Sequence, residues 1–447
     1  MPSPTIFRVL AAFLGISNIA FSYAVLITPG APWKDTDGNA IQAHGGGFLK
    51  VNDTYYWHGE DKTANSALFH AVSCYSSTDF GTWTREVDAL TPVANTLISS
   101  SNIVERPKVI YNEKNSEYVM WFHSDDSNYG LANVGVATAK TPCGPYTFKA
   151  SWQPLKNDSR DMGLFQDDDQ SAYLLYASYG NTVLKITQLD DDYYNVTTEK
   201  SEIVSRLEAP GIVKRDSIYY LFASHQSGWS PNANKYFHST SLSGPWTTEA
   251  DLADPSLDTY NSQNSFDLPL GSEAVYLGDR WRSGLLGSST YIWLPLSWAS
   301  GEPQLVQADV WDLDIAAGTY KVYSGTSYNA TDGTVSGNAK INTASHFVNG
   351  IGAGGSVTIE DVTGTGANQW IGVYYSNSGS WTSTTISVNG GSTSAVTPVD
   401  QSPTSSNSTF IGVPVNVYLE KGANNLTFGT NQTSPGGNLG WIVVYDV

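Results

Sequence analysis

His44-Gly45-Gly46, Glu105-Arg106-Pro107, Asp161-Met162-Gly163, Glu208-Ala209-Pro210 and Gln263-Asn264-Ser265 are five versions of one phrase: a polar residue followed by a small or proline-containing kink. Each leads through a short apolar strand and a turn into an aromatic strand: Tyr55-Tyr56-Trp57, Tyr118-Val119-Met120-Trp121, Tyr173-Leu174-Leu175-Tyr176, Tyr219-Tyr220-Leu221-Phe222 and Ala274-Val275-Tyr276-Leu277. The polar residue precedes its tyrosine by 11, 13, 12, 11 and 13 positions, and successive tyrosines lie 63, 55, 46 and 57 apart. That is the length of a four-stranded blade plus loops, so the repeat predicts a five-bladed β-propeller ending near Trp311-Asp312-Leu313-Asp314.

A second, weaker repeat supports the first. Ser77-Thr78-Asp79-Phe80-Gly81-Thr82-Trp83-Thr84, Thr141-Pro142-Cys143-Gly144-Pro145-Tyr146-Thr147 and Ser241-Leu242-Ser243-Gly244-Pro245-Trp246-Thr247 each read as a turn entering an aromatic strand, at the outer edge of a blade or in an ordinary hairpin. After Gly318 the composition shifts to Ser, Thr, Asn and Gly, with short strands such as Trp370-Ile371-Gly372-Val373-Tyr374-Tyr375 and Trp441-Ile442-Val443-Val444-Tyr445 and a hairpin signal at Asn389-Gly390. The predicted fold class is all-β: a propeller over residues 25–318, then a β-sandwich or jelly roll over 319–447.

Composition agrees. Of 447 residues 12% are aromatic and only 15% charged, and 41 are glycine, the balance of a turn-rich β protein. The formal net charge of −19 repels phosphate backbones and anionic lipid, which argues against nucleic acid and membrane as partners and leaves neutral ligands open. Arg8 precedes an apolar run from Val9 to Phe21, and Ser22-Tyr23-Ala24 supplies small residues for cleavage; residues 1–24 read as a secretory signal, too short to span a membrane. Seven N-x-S/T sequons, at Asn52, Asn157, Asn195, Asn329, Asn407, Asn425 and Asn431, fit a secreted, extracellular glycoprotein. The two cysteines, Cys74 and Cys143, are either one disulfide or two separate buried thiols.

In a propeller the innermost strand of each blade lines the axis, so the five leading polar residues, His44, Glu105, Asp161, Glu208 and Gln263, should converge on one pocket. Three carboxylates held together raise one another's pKa, and a Glu kept neutral in that way is a proton donor. Glycoside hydrolysis needs such an acid, with a base or nucleophile on the other face of the sugar. The alternative is that these groups only bind blade-start backbone N–H groups. Glu60, in Trp57-His58-Gly59-Glu60-Asp61, is either a further ligand or a solvated turn charge; Trp229, in a Gly/Ser-flanked loop, either stacks on a sugar face or packs between blades.

These motifs resemble glycoside hydrolase family 43 over about residues 25–318, and within it the exo-β-1,3-galactanase branch. The residues carrying the likeness are Ala43-His44-Gly45-Gly46-Gly47, Glu105-Arg106-Pro107-Lys108, Ser159-Arg160-Asp161-Met162, Glu208-Ala209-Pro210 and Ser262-Gln263-Asn264-Ser265. The resemblance implies Glu208 as general acid and Asp161 as the residue that tunes it. The aspartate that most members carry in blade one is absent, since the chain reads His44-Gly45-Gly46. The base is then Gln263, as the galactanase branch implies, or Glu105, which in that branch looks more like a sugar-hydroxyl ligand. With Glu60, His44 and Trp229 as substrate-binding residues, the expectation is a secreted, inverting exo-acting galactan 1,3-β-galactosidase, a monomer acting on β-1,3-galactan or arabinogalactan. Another family 43 glycosidase, such as an α-L-arabinofuranosidase, and a catalytically inactive galactan-binding lectin are the rival readings. The last 129 residues resemble carbohydrate-binding module family 35, through Val388-Asn389-Gly390-Gly391, Leu419-Glu420-Lys421-Gly422-Ala423-Asn424-Asn425 and Asn438-Leu439-Gly440-Trp441. Tyr374, Tyr375 and Asn438 are its candidate sugar-binding residues. Such modules carry a structural Ca2+ and a Glu-rich opening strand, where this chain has Tyr320-Lys321-Val322-Tyr323. No cofactor is expected for catalysis, and no His/Cys cluster suggests a transition metal.

Overall fold

The structure is a computed structural model describing residues 24–390 and 396–447. The predicted signal segment therefore lies, apart from Ala24, outside the described residues. Five antiparallel sheets of four strands follow one another along the chain, each with its strands side by side in sequence order. Their first strands are His44–Val51, Ile103–Asn112, Met162–Gln166, Leu207–Arg215 and Gln263–Leu270. Each of these lies against the first strand of the next sheet, and the fifth lies against the first, closing a ring. This is a β-propeller-type fold. The outer turns of the second sequence repeat join the third and fourth strands of the first, second and fourth sheets.

Period-two patterning makes the ring cohere. Alternate side chains of one sheet meet those of the next: Met120 and Phe122 pack with Val72 and Cys74, Leu174 and Tyr176 with Val119 and Trp121, and Leu221 and Phe237 with Leu175 and Leu184. Trp57, Tyr75, Phe222, Tyr276, Trp293 and Trp311 form the largest cluster, where the fifth sheet meets the first and fourth. Each fully buried large apolar side chain contributes roughly 1.5–3 kcal/mol, and the continuity of these clusters keeps the sheets in place. Cys74 and Cys143 form a disulfide (Cα–Cα 5.5 Å) that ties the third strand of the first sheet to an outer turn of the second.

In four of the five sheets the polar–kink phrase proves to be a β-bulge; the third sheet pairs without one. Pairing between first and second strands skips residues at His44/Gly47, Glu105/Lys108, Glu208/Gly211 and Asn264/Phe266. Gly45, Arg106 and Ala209, at the same place in three sheets, have φ of +57°, +55° and +53°. A bulge bends the strand and re-aims the flanking side chain, and it tolerates a proline that an unbroken ladder would reject; Pro107 and Pro210 sit there.

The predicted division after Gly318 falls inside a hairpin. Thr319–Val322 pairs with Trp311–Asp314, which also pairs with Val25–Ile27, and Tyr320 and Val322 pack on the propeller core. The last strands begin at Gly325 and make two sheets. One is Lys340–Asn342, Phe347–Asn349, Asn438–Tyr445, Ala367–Ser376 and Ile411–Leu419, with Gly325–Asn329 on the Asn438–Tyr445 strand; the other is Thr334–Gly337, Gly355–Gly364, Gly422–Phe428, Thr382–Val388 and Thr397–Gln401. Both contribute to a single core that includes Ile371, Val373, Ile442, Val357 and Phe428. The strands flanking Asn389-Gly390 pair antiparallel, Ile386 opposite Thr397.

The opposite face of the first of these sheets rests on the propeller. Tyr445 Oη donates to Asp309 Oδ2 (2.8 Å) and Gln307 Nε2 donates to Tyr374 Oη (3.2 Å); from the other sheet, Asp400 pairs with Arg282 (3.1 Å). Tyr374 is thus a contact between the two parts, and Tyr375 is fully buried with its hydroxyl on Ser402 (2.8 Å). Neither is available to a sugar, because adjacent strand residues here point to an interface and a core. Asn438 is half-buried and donates to Ser376 and Asn407.

Candidate active site

A cavity of about 450 Å³ opens at the ends of the inner strands. Glu60, Glu105, Asp161, Glu208, Trp229 and Gln263 all line it, joined by Arg106, His123, Tyr129, Asn181 and Trp281. Four of the five leading polar residues therefore converge. His44 does not reach the cavity: it is fully buried, its Nδ1 3.0 Å from Asp279 Oδ1 and its ring stacked on Tyr291. Glu60, its cross-strand partner, takes the place in the first sheet. Gly45 and Gly46 make this replacement possible. A Cβ on Gly45 would lie 2.3 Å from Glu60 Oε1, and one on Gly46 2.0 Å from the His58 carbonyl. The His-Gly-Gly sequence is a passage for a carboxylate arriving from the neighbouring strand.

Apart from Glu60, sequence reasoning missed a second set of groups, the residues directly opposite the leading ones. Glu60, His123, Ser224 and Asp279 pair across the first and second strands with His44, Glu105, Glu208 and Gln263, at 16, 18, 16 and 16 residues downstream. This regular offset was a readable signal. Arg106 was in view as the kink residue, but only its turned backbone shows that its side chain runs inward.

Arg106 is the hub. Its guanidinium meets Asp161 Oδ2 at 2.9 Å, Gln263 Oε1 at 2.5 Å and the Asn264 carbonyl at 2.8 Å, and its backbone N–H donates to Glu60 Oε1 (2.9 Å). Gln263 is fixed at both ends: Oε1 also accepts from Trp281 Nε1 (3.0 Å), and Nε2 donates to Ser224 Oγ (3.0 Å). Two donors that cannot accept establish which end of the amide is oxygen. Trp229 meets Trp281 edge-on at 5.0 Å and is half-buried, so it forms cavity wall and does not pack between sheets.

Two of the three glutamates that face this hub, Glu208 and Glu105, are in opposite states. Burial, then the neighbouring Asp161 charge, pushes Glu208 up to about 8 against the pull of Arg106 and of Asn181, which donates to Oε1 at 2.6 Å. Burial acts the same way on Glu105, but a hydrogen bond from His123, the Lys62 ammonium and the Tyr129 hydroxyl (2.7 Å) overcome it and take Glu105 down to about 2. Burial opposes the charge of His123, yet Asp125 and Glu105 outweigh it and lift the imidazole to about 9. Mutual repulsion of three carboxylates was the expectation. Burial raises Glu208 and also Glu60, which pairs with the Lys62 ammonium, while Glu105 falls, because cations are distributed unevenly round the pocket. The arrangement can donate a proton from Glu208 while Glu105 accepts hydrogen bonds from a neutral, hydroxyl-rich ligand.

Among the described residues, the one group of three His, Cys, Asp or Glu ligand atoms close enough to share a metal is His58, Cys74 and Cys143, and its two cysteines are in the disulfide. Among the described residues of the C-terminal sheets no three such ligand atoms lie together, and the expected opening strand belongs to the propeller edge.

Residues 47–267 match the family model described as Glycosyl hydrolases family 43. An exo-β-1,3-galactanase from Phanerochaete chrysosporium, crystallised with β-1,3-galactotriose, is 54% identical, with a TM-score of 0.91 over 94% of this chain and 100% of that one. An exo-β-1,3-galactanase from Clostridium thermocellum is 31% identical over 86% of this chain and 78% of that one, with a TM-score of 0.64. A family 43 β-1,3-galactosidase bound to galactodeoxynojirimycin is 33% identical, with a TM-score of 0.60, over 63% of this chain and 99% of that one. No curated protein sequence matches the chain.

Proposed function

We propose, from the premise that the chain belongs to glycoside hydrolase family 43 and is a glycoside hydrolase, that it is a secreted, exo-acting galactan 1,3-β-galactosidase that releases galactose with inversion. The observation that carries this reading is the neutral Glu208 beside Asp161 in a cavity that also holds Gln263 and the ionised Glu105. Glu208 protonates the leaving glycosidic oxygen, and Asp161 keeps its pKa high. Glu105 and Glu60 accept hydrogen bonds from sugar hydroxyls, and Trp229 offers its ring to a C–H face of galactose. Gln263 holds the attacking water on the other face. The guanidinium and indole on its oxygen lower its basicity and fix its orientation, so the amide orients the water and does not deprotonate it; as the new C–O bond forms, the water's proton is released to solvent. The galactotriose complex of the 54% identical galactanase supports β-1,3-linked galactan as substrate, with arabinogalactan as its natural source.

The five four-stranded sheets are read as five blades. The last two sheets are read as a sandwich resembling carbohydrate-binding module family 35, divided from the propeller at Tyr323-Ser324. Asn438, half-buried at its edge, is the remaining candidate for sugar there. The protein is read as a glycosylated extracellular monomer. The test is proton NMR of the first galactose released from β-1,3-galactotriose. Initial α-anomer is the expected result; initial β-anomer, or no galactose, overturns the reading.

A further inference from the structure

Gln263 is delivered by an unusual turn. Asp258, Thr259, Tyr260 and Asn261 have φ of +47°, +53°, +55° and +60°, four consecutive non-glycine residues in the left-handed region. L-residues enter that region singly at a cost, and a run of four persists only where the surroundings hold it. The propeller supplies part of the hold. Thr259 Oγ1 accepts from the Asn234 N–H (2.7 Å), and the buried Arg280 guanidinium donates to the carbonyls of Tyr260 (2.9 Å) and Asn261 (3.3 Å).

The last member of the turn is held from elsewhere. Asn261 Nδ2 donates to Ser402 Oγ (3.0 Å) and to the Pro403 carbonyl, both in the C-terminal unit. Ser402 is itself pinned by Tyr375, whose hydroxyl contacts Ser402 Oγ and accepts from its N–H, both at 2.8 Å. Ser405 Oγ donates to the Ser256 carbonyl at the start of the same loop (3.2 Å). Asn261, Ser402 and Tyr375 are all buried. The same unit also grips the loop carrying Gln263's other partner: Arg282, next to Trp281, pairs with Asp400 (3.1 Å) and lies over the Trp381 ring (4.9 Å). Two supports of the Gln263 amide, its own backbone and the Trp281 indole, are thus braced by residues outside the propeller, beside the Arg106 and Ser224 bonds made within it.

We propose that the C-terminal unit is a positioning element of the active site, acting through the Tyr375–Ser402–Asn261 chain to hold Gln263 in register with Glu208. The proposal rests on the reading that Gln263 takes part in catalysis. It makes the unit more than a detachable polymer anchor: disturbing this contact slows turnover of a short soluble substrate, for which an anchor is irrelevant.

The test uses the full chain and β-1,3-galactotriose. Asn261→Gly suits the left-handed backbone and removes only the side-chain link, and Asn261→Asp keeps the shape but cannot donate to the Pro403 carbonyl. Both are expected to lower kcat about tenfold, with KM changed less than about twofold, since small misplacement of a reacting group costs turnover more than binding. Tyr445→Phe, which loosens the same interface at Asp309, serves as control: a lower melting temperature with kcat within about twofold of the parent, as a merely structural contact would behave. Should both Asn261 variants keep the parent kcat while Gln263→Ala is crippled, the positioning role is overturned and the Gln263 reading stands. The positioning role is equally overturned if Tyr445→Phe lowers kcat as much as Asn261→Gly. If Gln263→Ala itself keeps full activity, the reading of Gln263 falls and takes this inference with it.

Discussion

The Glu105 corner and the Glu208 corner of the pocket present the same side chain at equivalent places in two repeats, and yet their chemistry is opposite. Both carboxyls are buried, which would push either toward neutrality. At Glu105 the cross-strand partner is His123, itself held cationic by Asp125, and Lys62 and Tyr129 complete the shell. At Glu208 the cross-strand partner is Ser224, the amide donor is Asn181, and the charge that raises it most is the like charge of Asp161. Burial sets the stake in both corners; the partner one strand away decides which form survives. A repeated backbone thus yields a protonated carboxyl in one sheet and an ionised one in another.

The most direct way to break this contrast is to remove the acid. Glu208→Gln keeps the hydrogen bond to Asn181 within reach but has no proton to give, and is expected to lose roughly three or more orders of magnitude in kcat on galactan, with the fold intact by circular dichroism. More than a tenth of parental activity would end the assignment.

A second prediction concerns the other corner and its stability. The folded pKa of His123 is raised to about 9 from its ordinary 6.5. The charged imidazole therefore contributes stability that is fully present below about 6.5 and is lost as pH rises through about 9; for a buried group this amounts to on the order of 3 kcal/mol. Urea melts between pH 6 and 10 should show that loss, and His123→Asn should flatten it. A His123→Asn protein with the parent's pH dependence would show that the imidazole is not the cation holding Glu105.

The smallest effect sharpens the comparison most. With Glu208 as the proposed acid, kcat/KM should fall as pH rises through about 8. Asp161→Asn removes the neighbouring negative charge and leaves Arg106 uncompensated, so the alkaline limb should move to lower pH by about one unit, beyond any fall in maximal rate. An unmoved limb would mean that burial alone sets the acid.

The leading residues of this pocket were legible because a propeller is a repeat, and five equivalent places on five strands must meet at one axis. Glu105, Asp161, Glu208 and Gln263 followed from that reasoning and line the cavity. The same logic failed for His44: equivalence of backbone position does not fix which way a bulged strand turns its side chain, and there the glycines let Glu60 through. Tyr374 and Tyr375 misled for a similar reason. Two adjacent aromatic residues on a strand face opposite ways, and one faces the propeller while the other faces the core.

By itself, then, the sequence determined the repeat, its period, the all-β class and the inventory of acid and amide groups at the starts of the inner strands, since these depend on local spacing and the twofold period of strands. Only the tertiary structure decided the states and supports of those groups. The charge on Glu105 depends on a histidine 18 residues away across a strand pair. Gln263 depends on an arginine 157 residues away and, through Asn261, on a serine 141 residues further along the chain. Electrostatics and hydrogen bonding act over a few ångströms of space, and which distant residues share those ångströms is settled by packing.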